Sequence, residues 1–116
     1  MGDTGHSVEA YYKRATSPLV VLHLLEGRTM YGYQISQAMK EKSGGKFTIA
    51  VLYPILYRLE EQGYIRVART EVTNNRARSY YAITEEGRQY LRQSMAEYRA
   101  IHQAFMDIVG EGNIVK

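Results

Sequence analysis

Between Gly63 and Thr84 the spacing of apolar residues changes from the three-and-four step of a helix to the two-residue step of a strand, and then changes back. Ile65 and Val67 alternate with Arg66, and Tyr81 and Ile83 alternate with Tyr80 and Ala82. Between the two runs stands Thr73-Asn74-Asn75-Arg76. Asparagine tolerates positive φ, so this tetrad predicts a hairpin turn. The chain is therefore expected to set one short hairpin into an otherwise helical sequence.

The helical patterns on either side are punctuated by caps. From Val8 to Leu25 a helix-like pattern is interrupted at Ser17-Pro18. Either Ser17 caps a helix with Pro18 in its first turn, or one longer helix bends at Pro18. In both cases Leu19, Leu22 and Leu25 share a face, and the Gly27 region ends the helix. Thr29 is placed to cap a second helix running through Tyr31-Gly32-Tyr33 to about Lys42, with Ile35, Ala38 and Met39 at helical spacing. Ser43-Gly44-Gly45 reads as a loop, Lys46 and Phe47 as a short strand, and Thr48 as the cap of a third helix from about Ile49 to Gln62. Its core stripe is Leu52, Ile55, Leu56 and Leu59, and Gly63 supplies the left-handed residue that ends it, with Ile65 packing back. Pro54 deep inside a helix costs about 3 kcal/mol, which places it near the first turn. Thr84 caps a last helix whose first turn carries Glu85 and Glu86 at the positive end of the dipole. The order of elements describes a mostly α fold with a small β wing: a winged helix-turn-helix over residues 1–84 with an N-terminal helical arm, followed by a long helix in residues 85–116. In such folds the third helix enters the major groove of DNA and the hairpin lies along the backbone or minor groove.

Composition narrows the function classes. A chain of 116 residues with 45% hydrophobic and 23% charged residues is long enough for one domain with a real core. The absence of cysteine excludes a disulfide framework, a thiolate nucleophile and a zinc–cysteine site, and fits a reducing cytoplasm. No run approaches eighteen apolar residues and the first residues lack the apolar block of a signal peptide, so a cytoplasmic protein without a membrane span is expected. His6, His23 and His102 are scattered, and no paired His-Glu metal motif, phosphate loop or serine elbow is present. The adjacent pairs Glu60-Glu61 and Glu85-Glu86 point to different helix faces and read as solvated surface. No catalytic residue, metal or cofactor is expected.

The net charge of +3 says less than its distribution, because residues 64–84 hold Arg66, Arg69, Arg76 and Arg78 against Glu71 alone. With the leucine stripe turned inward, the opposite face of the third helix presents Ile49, Ala50, Tyr53, Tyr57 and Arg58. Tyrosine hydroxyls bond phosphates or bases, small apolar groups touch thymine methyls, and wing arginines neutralise phosphates. Solubilising edge arginines are the plainer alternative for the wing. The second functional feature is the last helix, where Leu91, Ser94, Tyr98, Ile101, Phe105 and Ile108 follow alternating three- and four-residue steps, widened by Met95, His102 and Val109. From Glu85 to Val109 it spans roughly 36 Å. With only Gly110 to Lys116 beyond it, the stripe is expected to pair with a second copy, helped by Val8, Tyr11 and Tyr12. A two-fold dimer favours palindromic half-sites in double-stranded DNA. The runner-up is a winged-helix scaffold that binds protein through the last helix and no DNA. RNA binding ranks below both, for want of an aromatic sheet platform.

Three segments resemble the PadR family of bacterial transcriptional regulators: Tyr31-Gly32-Tyr33-Gln34-Ile35, the run Leu52-Tyr53-Pro54-Ile55-Leu56-Tyr57-Arg58-Leu59-Glu60-Glu61-Gln62-Gly63-Tyr64-Ile65, and Arg78-Ser79-Tyr80-Tyr81-Ala82-Ile83-Thr84-Glu85-Glu86-Gly87. The resemblance covers about residues 19–90 and makes Pro54 a family feature. It implies a dimeric winged-helix regulator, usually a repressor, of the subgroup with a single short C-terminal helix. By position it implies DNA contacts from Tyr31, Lys46, Thr48, Ala50, Tyr53, Pro54, Tyr57, Arg76 and Arg78. The dimer interface expected from the last helix and the N-terminal arm comprises Tyr11, Leu91, Met95, Tyr98, Ile101, Phe105 and Ile108. Some relatives bind aromatic or cationic drugs at the dimer interface with a tryptophan on the last helix. Tyr98 stands at the matching position here, so Leu19, Tyr98 and His102 are the residues implied for a small aromatic effector.

Overall fold

The computed structural model describes residues 6–48 and 52–110. Among them are helices α1 (Val8–Gly27), α2 (Gly32–Lys42), α3 (Leu52–Glu61) and α4 (Glu85–Val109), and strands β1 (Met30–Tyr31), β2 (Ile65–Thr73) and β3 (Arg76–Ile83). The strands form one antiparallel sheet in the order β1-β3-β2. This is the winged helix-turn-helix expected from the sequence.

Helix α1 is continuous through Pro18, and its N-cap is Ser7, whose Oγ accepts the Ala10 amide at 3.0 Å. Ser17 therefore caps nothing. The interior proline costs about 3 kcal/mol, but Val21, Leu22, Leu24 and Leu25 are all buried beyond it. At about 1.5–3 kcal/mol for each buried aliphatic side chain, their packing outweighs one missing hydrogen bond.

Two other expectations are corrected between α1 and α3. The N-cap of α2 is Tyr31, not Thr29. Met30 and Tyr31 are drawn into extended backbone because they pair with Tyr81 and Tyr80 of β3, and the Tyr31 amide donates to Gln34 Oε1 at 3.1 Å. Lys46 and Phe47 form no strand: Ser43 takes both of their amides, through its carbonyl oxygen at 3.2 Å and its Oγ at 2.8 Å. The expected start of α3 at Ile49, and with it the cap role of Thr48, falls against residues 49–51, outside the described residues. Pro54 lies in the first turn of the helix as described.

Past α3 the expectations hold. Gly63 has φ +82°, and the Gly63 and Tyr64 amides donate to the Glu60 and Leu59 carbonyls, closing the helix in a Schellman motif. Asn74 and Asn75 both have positive φ and form the two-residue turn between Thr73 and Arg76. The strands run longer than the alternation of their inner ends indicated, reaching the turn on both sides. Thr84 Oγ1 accepts the Gly87 amide and donates to the Gly63 carbonyl, so one hydroxyl starts α4 and ties it to the end of α3.

The core joins all four helices and the base of the sheet. Leu22 and Val21 from α1, Ile35 from α2, Leu56 from α3 and Ile65 from β2 are the most deeply buried. Leu91 of α4 is buried with them, and Met95 packs on the same cluster. Beyond Met95 the helix leaves the core: Ile101, Phe105 and Ile108 are 67%, 56% and 83% exposed. No helix among the described residues is long and apolar enough to cross a membrane.

Gly87 is the tightest joint in this frame, since a Cβ there would run into the Tyr64 carbonyl oxygen and the Ile83 side chain. Gly27, by contrast, has open space where its Cβ would stand. Gly87→Ala is expected to lose about 1–3 kcal/mol in urea denaturation, whereas Gly27→Ala should be neutral or slightly stabilising.

Candidate nucleic-acid interface

The outer face of the sheet is built by register. Tyr31 stands opposite Tyr80 in the β1–β3 pair, and Arg78 and Arg76 follow Tyr80 at two-residue steps along β3. On β2, Ile65, Arg66 and Val67 pair with Ile83, Ala82 and Tyr81, after which Ala68 is skipped and Arg69 pairs with Tyr80. This bulge changes the parity of the strand. It moves Arg69 and Glu71 onto the face that carries Tyr80, Arg78 and Arg76, instead of the face that carries Ile83 and Tyr81.

The arginines on that face are held in different ways. The Arg69 guanidinium lies 3.8 Å from the centre of the Tyr80 ring and 3.4 Å from the Glu71 carboxylate. Tyr80 donates its hydroxyl to the same carboxylate at 3.1 Å. Arg78 lies over the Tyr31 ring at 4.5 Å, and neither it nor Arg76 has a carboxylate partner among the described residues. Both are exposed.

The start of α2 and the first turn of α3 meet β3 along a groove lined from both of its faces, by Arg76 and Arg78 from one and by Ala77, Ser79 and Tyr81 from the other. The Tyr53 hydroxyl reaches the place that a Cβ at position 32 would take, so the glycine lets the Tyr53 ring of α3 lie against the backbone at the start of α2. The result is an open groove of about 530 Å³ between α2, α3 and the wing, walled by Tyr31, Tyr33, Tyr53, Arg76, Arg78 and Tyr81. Partial burial, reinforced by the Glu60 carboxylate and the Tyr53 phenol, pushes the Tyr81 phenol above its ordinary value and keeps it a hydrogen-bond donor.

Of the nine residues expected at a DNA surface, Tyr31, Tyr53, Arg76 and Arg78 line this groove together. Pro54 and Tyr57 are exposed beside it on α3, with Tyr57 one turn beyond Tyr53. Lys46 and Thr48 are exposed in the loop after α2 and do not line it. Glu9 of α1, whose carboxyl is held low chiefly by Lys13, also feels the Lys46 charge. Ala50 lies outside the described residues. Tyr33, which the sequence pattern did not single out as a site residue, is 62% exposed in the groove wall. Its signal was the repeated tyrosine of Tyr31-Gly32-Tyr33.

A second groove, of about 760 Å³, lies between α1, the end of α2 and α4. Leu19, Phe47, Met95 and Tyr98 line it. The Tyr12 and Tyr98 hydroxyls are 2.6 Å apart, and that bond to Tyr98, with some burial, raises the Tyr12 phenol above its usual range. His102 stacks on Tyr98, ring centres 5.6 Å apart, without lining the groove. Of the expected interface residues, Leu91 is committed to the protomer's own core and Met95 packs against it, while Ile101, Phe105 and Ile108 project. Tyr11 is half exposed, hydrogen-bonded to His6 and covered by Arg14.

Residues 21–93 match the model of the transcriptional regulator PadR-like family. The chain is 32% identical over 95 residues to an uncharacterized protein of Lysinibacillus sphaericus, covering 80% of this chain and 86% of that one. It is 29% identical to the transcriptional regulator Rv3488 of Mycobacterium tuberculosis over 85% of this chain and 88% of that protein. Among solved structures, a PadR family transcriptional regulator from Eggerthella lenta superposes with a TM-score of 0.76 at 27% identity, covering 89% of this chain and 88% of the other.

Proposed function

The chain belongs to the PadR-like family of transcriptional regulators, and from that premise we propose that it works as a homodimer on a palindromic operator in double-stranded DNA, as a repressor released by a small aromatic ligand. A regulator of this kind is not an enzyme, and acting on the genome places it in the cytoplasm. The observation that carries the DNA reading is the convergence of Tyr31, Tyr53, Arg76 and Arg78 on one open groove. Two guanidinium groups on the wing that make no ion pair among the described residues suit phosphates, and the tyrosine-faced start of α3 suits a major groove. Tyr57 extends that face, and Lys46, Thr48, Ala50 and Pro54 belong to the same proposed surface at its edge.

The dimer reading rests on α4. Ile101, Phe105 and Ile108 form an apolar stripe that the protomer leaves in water, beside the groove where Tyr12 meets Tyr98. A second copy covers such a stripe by two-fold exchange of the same surface. The apolar lining around Leu19 and Tyr98, with His102 stacked behind, then offers a seat for an aromatic effector.

Two measurements test these readings. In fluorescence anisotropy with a labelled duplex from upstream of its own gene, Arg76→Ala with Arg78→Ala is expected to weaken binding. The plot of log affinity against log salt should flatten by about 0.9 for each phosphate that is no longer neutralised. A wild-type protein indifferent to DNA at low salt leaves the protein-binding scaffold as the better reading. In sedimentation equilibrium, Ile101→Asp with Phe105→Asp should turn a dimer into a monomer of unchanged helicity, because both side chains are exposed in the protomer.

A further inference from the structure

Four arginines in the wing region face one glutamate, and simple arithmetic makes all of them candidates for phosphate contact. The contacts on the outer sheet face divide them. Arg69 is enclosed on two sides, by the Tyr80 ring at 3.8 Å and the Glu71 carboxylate at 3.4 Å. Its charge is thus already balanced by a neighbour that is itself fixed by the Tyr80 hydroxyl at 3.1 Å. Three side chains close on one another: Arg69 covers the Tyr80 face, Tyr80 bonds Glu71, and Glu71 pairs with Arg69.

The closed group leads onward to the DNA surface. Tyr80 is only 8% exposed, and it meets the Tyr31 ring edge to face, centres 5.1 Å apart at 72°. Tyr31 is in turn covered by Arg78, over the ring at 4.5 Å. An unbroken series of contacts therefore runs from Arg69 and Glu71 on β2, through Tyr80 on β3 and Tyr31 on β1, to the guanidinium of Arg78. The Ala68 bulge makes this possible, since without it Arg69 and Glu71 would face the other side of the sheet.

We infer that Arg69, Tyr80 and Glu71 are positioning residues: a charge-neutral latch that fixes Tyr31 and Arg78 in the groove, while Arg69 itself contacts no phosphate. This rests on the DNA-binding reading above. A cation over an aromatic face in a partly exposed site is a modest interaction, so the effect belongs in the affinity and not in the fold.

The test is a charge-balanced double variant, Arg69→Gln with Glu71→Gln, compared with wild type and with Arg76→Gln, on a mixed-sequence duplex and on the duplex upstream of its own gene. The expected result is an unchanged thermal midpoint, an unchanged salt slope, and affinity for the upstream duplex lower by about twofold to fivefold at every salt concentration. Arg76→Gln should instead reduce the slope by about 1. A slope that falls by about 1 in the double variant makes Arg69 a phosphate ligand and overturns the inference. An affinity equal to wild type at every salt concentration overturns it too, because the latch then positions nothing. Wild-type protein that binds neither duplex at low salt fails the DNA reading itself and is distinguishable from both.

Discussion

Two residues of extended backbone, Met30 and Tyr31, join the helical half of this molecule to its wing. Their pairing with Tyr81 and Tyr80 makes a three-stranded sheet out of a hairpin, and it sets Tyr31 both as the N-cap of α2 and as a wall of the groove. A two-stranded hairpin alone is marginal in water. Here the third strand, the Ile65 and Ile83 contacts with the core, and the Thr84 hydroxyl bridging Gly63 and Gly87 anchor its base. The base of the wing is consequently fixed to the helices, and packing there sets where its arginines stand relative to Tyr53.

Sequence logic reached most of the frame because its signals are local. Asn74-Asn75 can hardly be anything but a turn, Gly63 supplies the one residue type that accepts φ near +80° without strain, and Thr84 has both a hydroxyl and a free amide three residues on. The inward stripe of α3 follows from spacing alone. Strand β1 escaped for the opposite reason: two residues carry no period, and Met30 and Tyr31 become a strand only because β3 offers its edge. Lys46 and Phe47 looked like a strand by composition, yet Ser43 satisfies their amides locally.

The candidate site was legible in part for the same reason. Tyr31, Tyr53, Arg76 and Arg78 were readable as separate exposed groups, and the fold brings them together. What spacing could not disclose is the Ala68 bulge, which breaks the alternation on which any strand reading depends. It brings Arg69 and Glu71 onto the face of Arg76 and Arg78, where Glu71 pairs with Arg69, while Arg76 and Arg78 make no ion pair among the described residues. The wing therefore offers less free positive charge than its arginine count suggests. The last helix shows a similar division: Leu91 and Met95 hold it to its own core, while Ile101, Phe105 and Ile108 stay exposed in the protomer.

If the paired α4 helices hold two tyrosine-faced grooves on one side of a dimer, their spacing on a duplex is set by how the wing base is fixed to the helices. Hydroxyl-radical footprinting of the full chain on the DNA upstream of its own gene measures that spacing directly. The expected pattern is two protected backbone patches related by two-fold symmetry, about 34–36 Å or one helical turn apart. A single patch, or uniform cleavage at low salt, contradicts a dimer of DNA-reading wings.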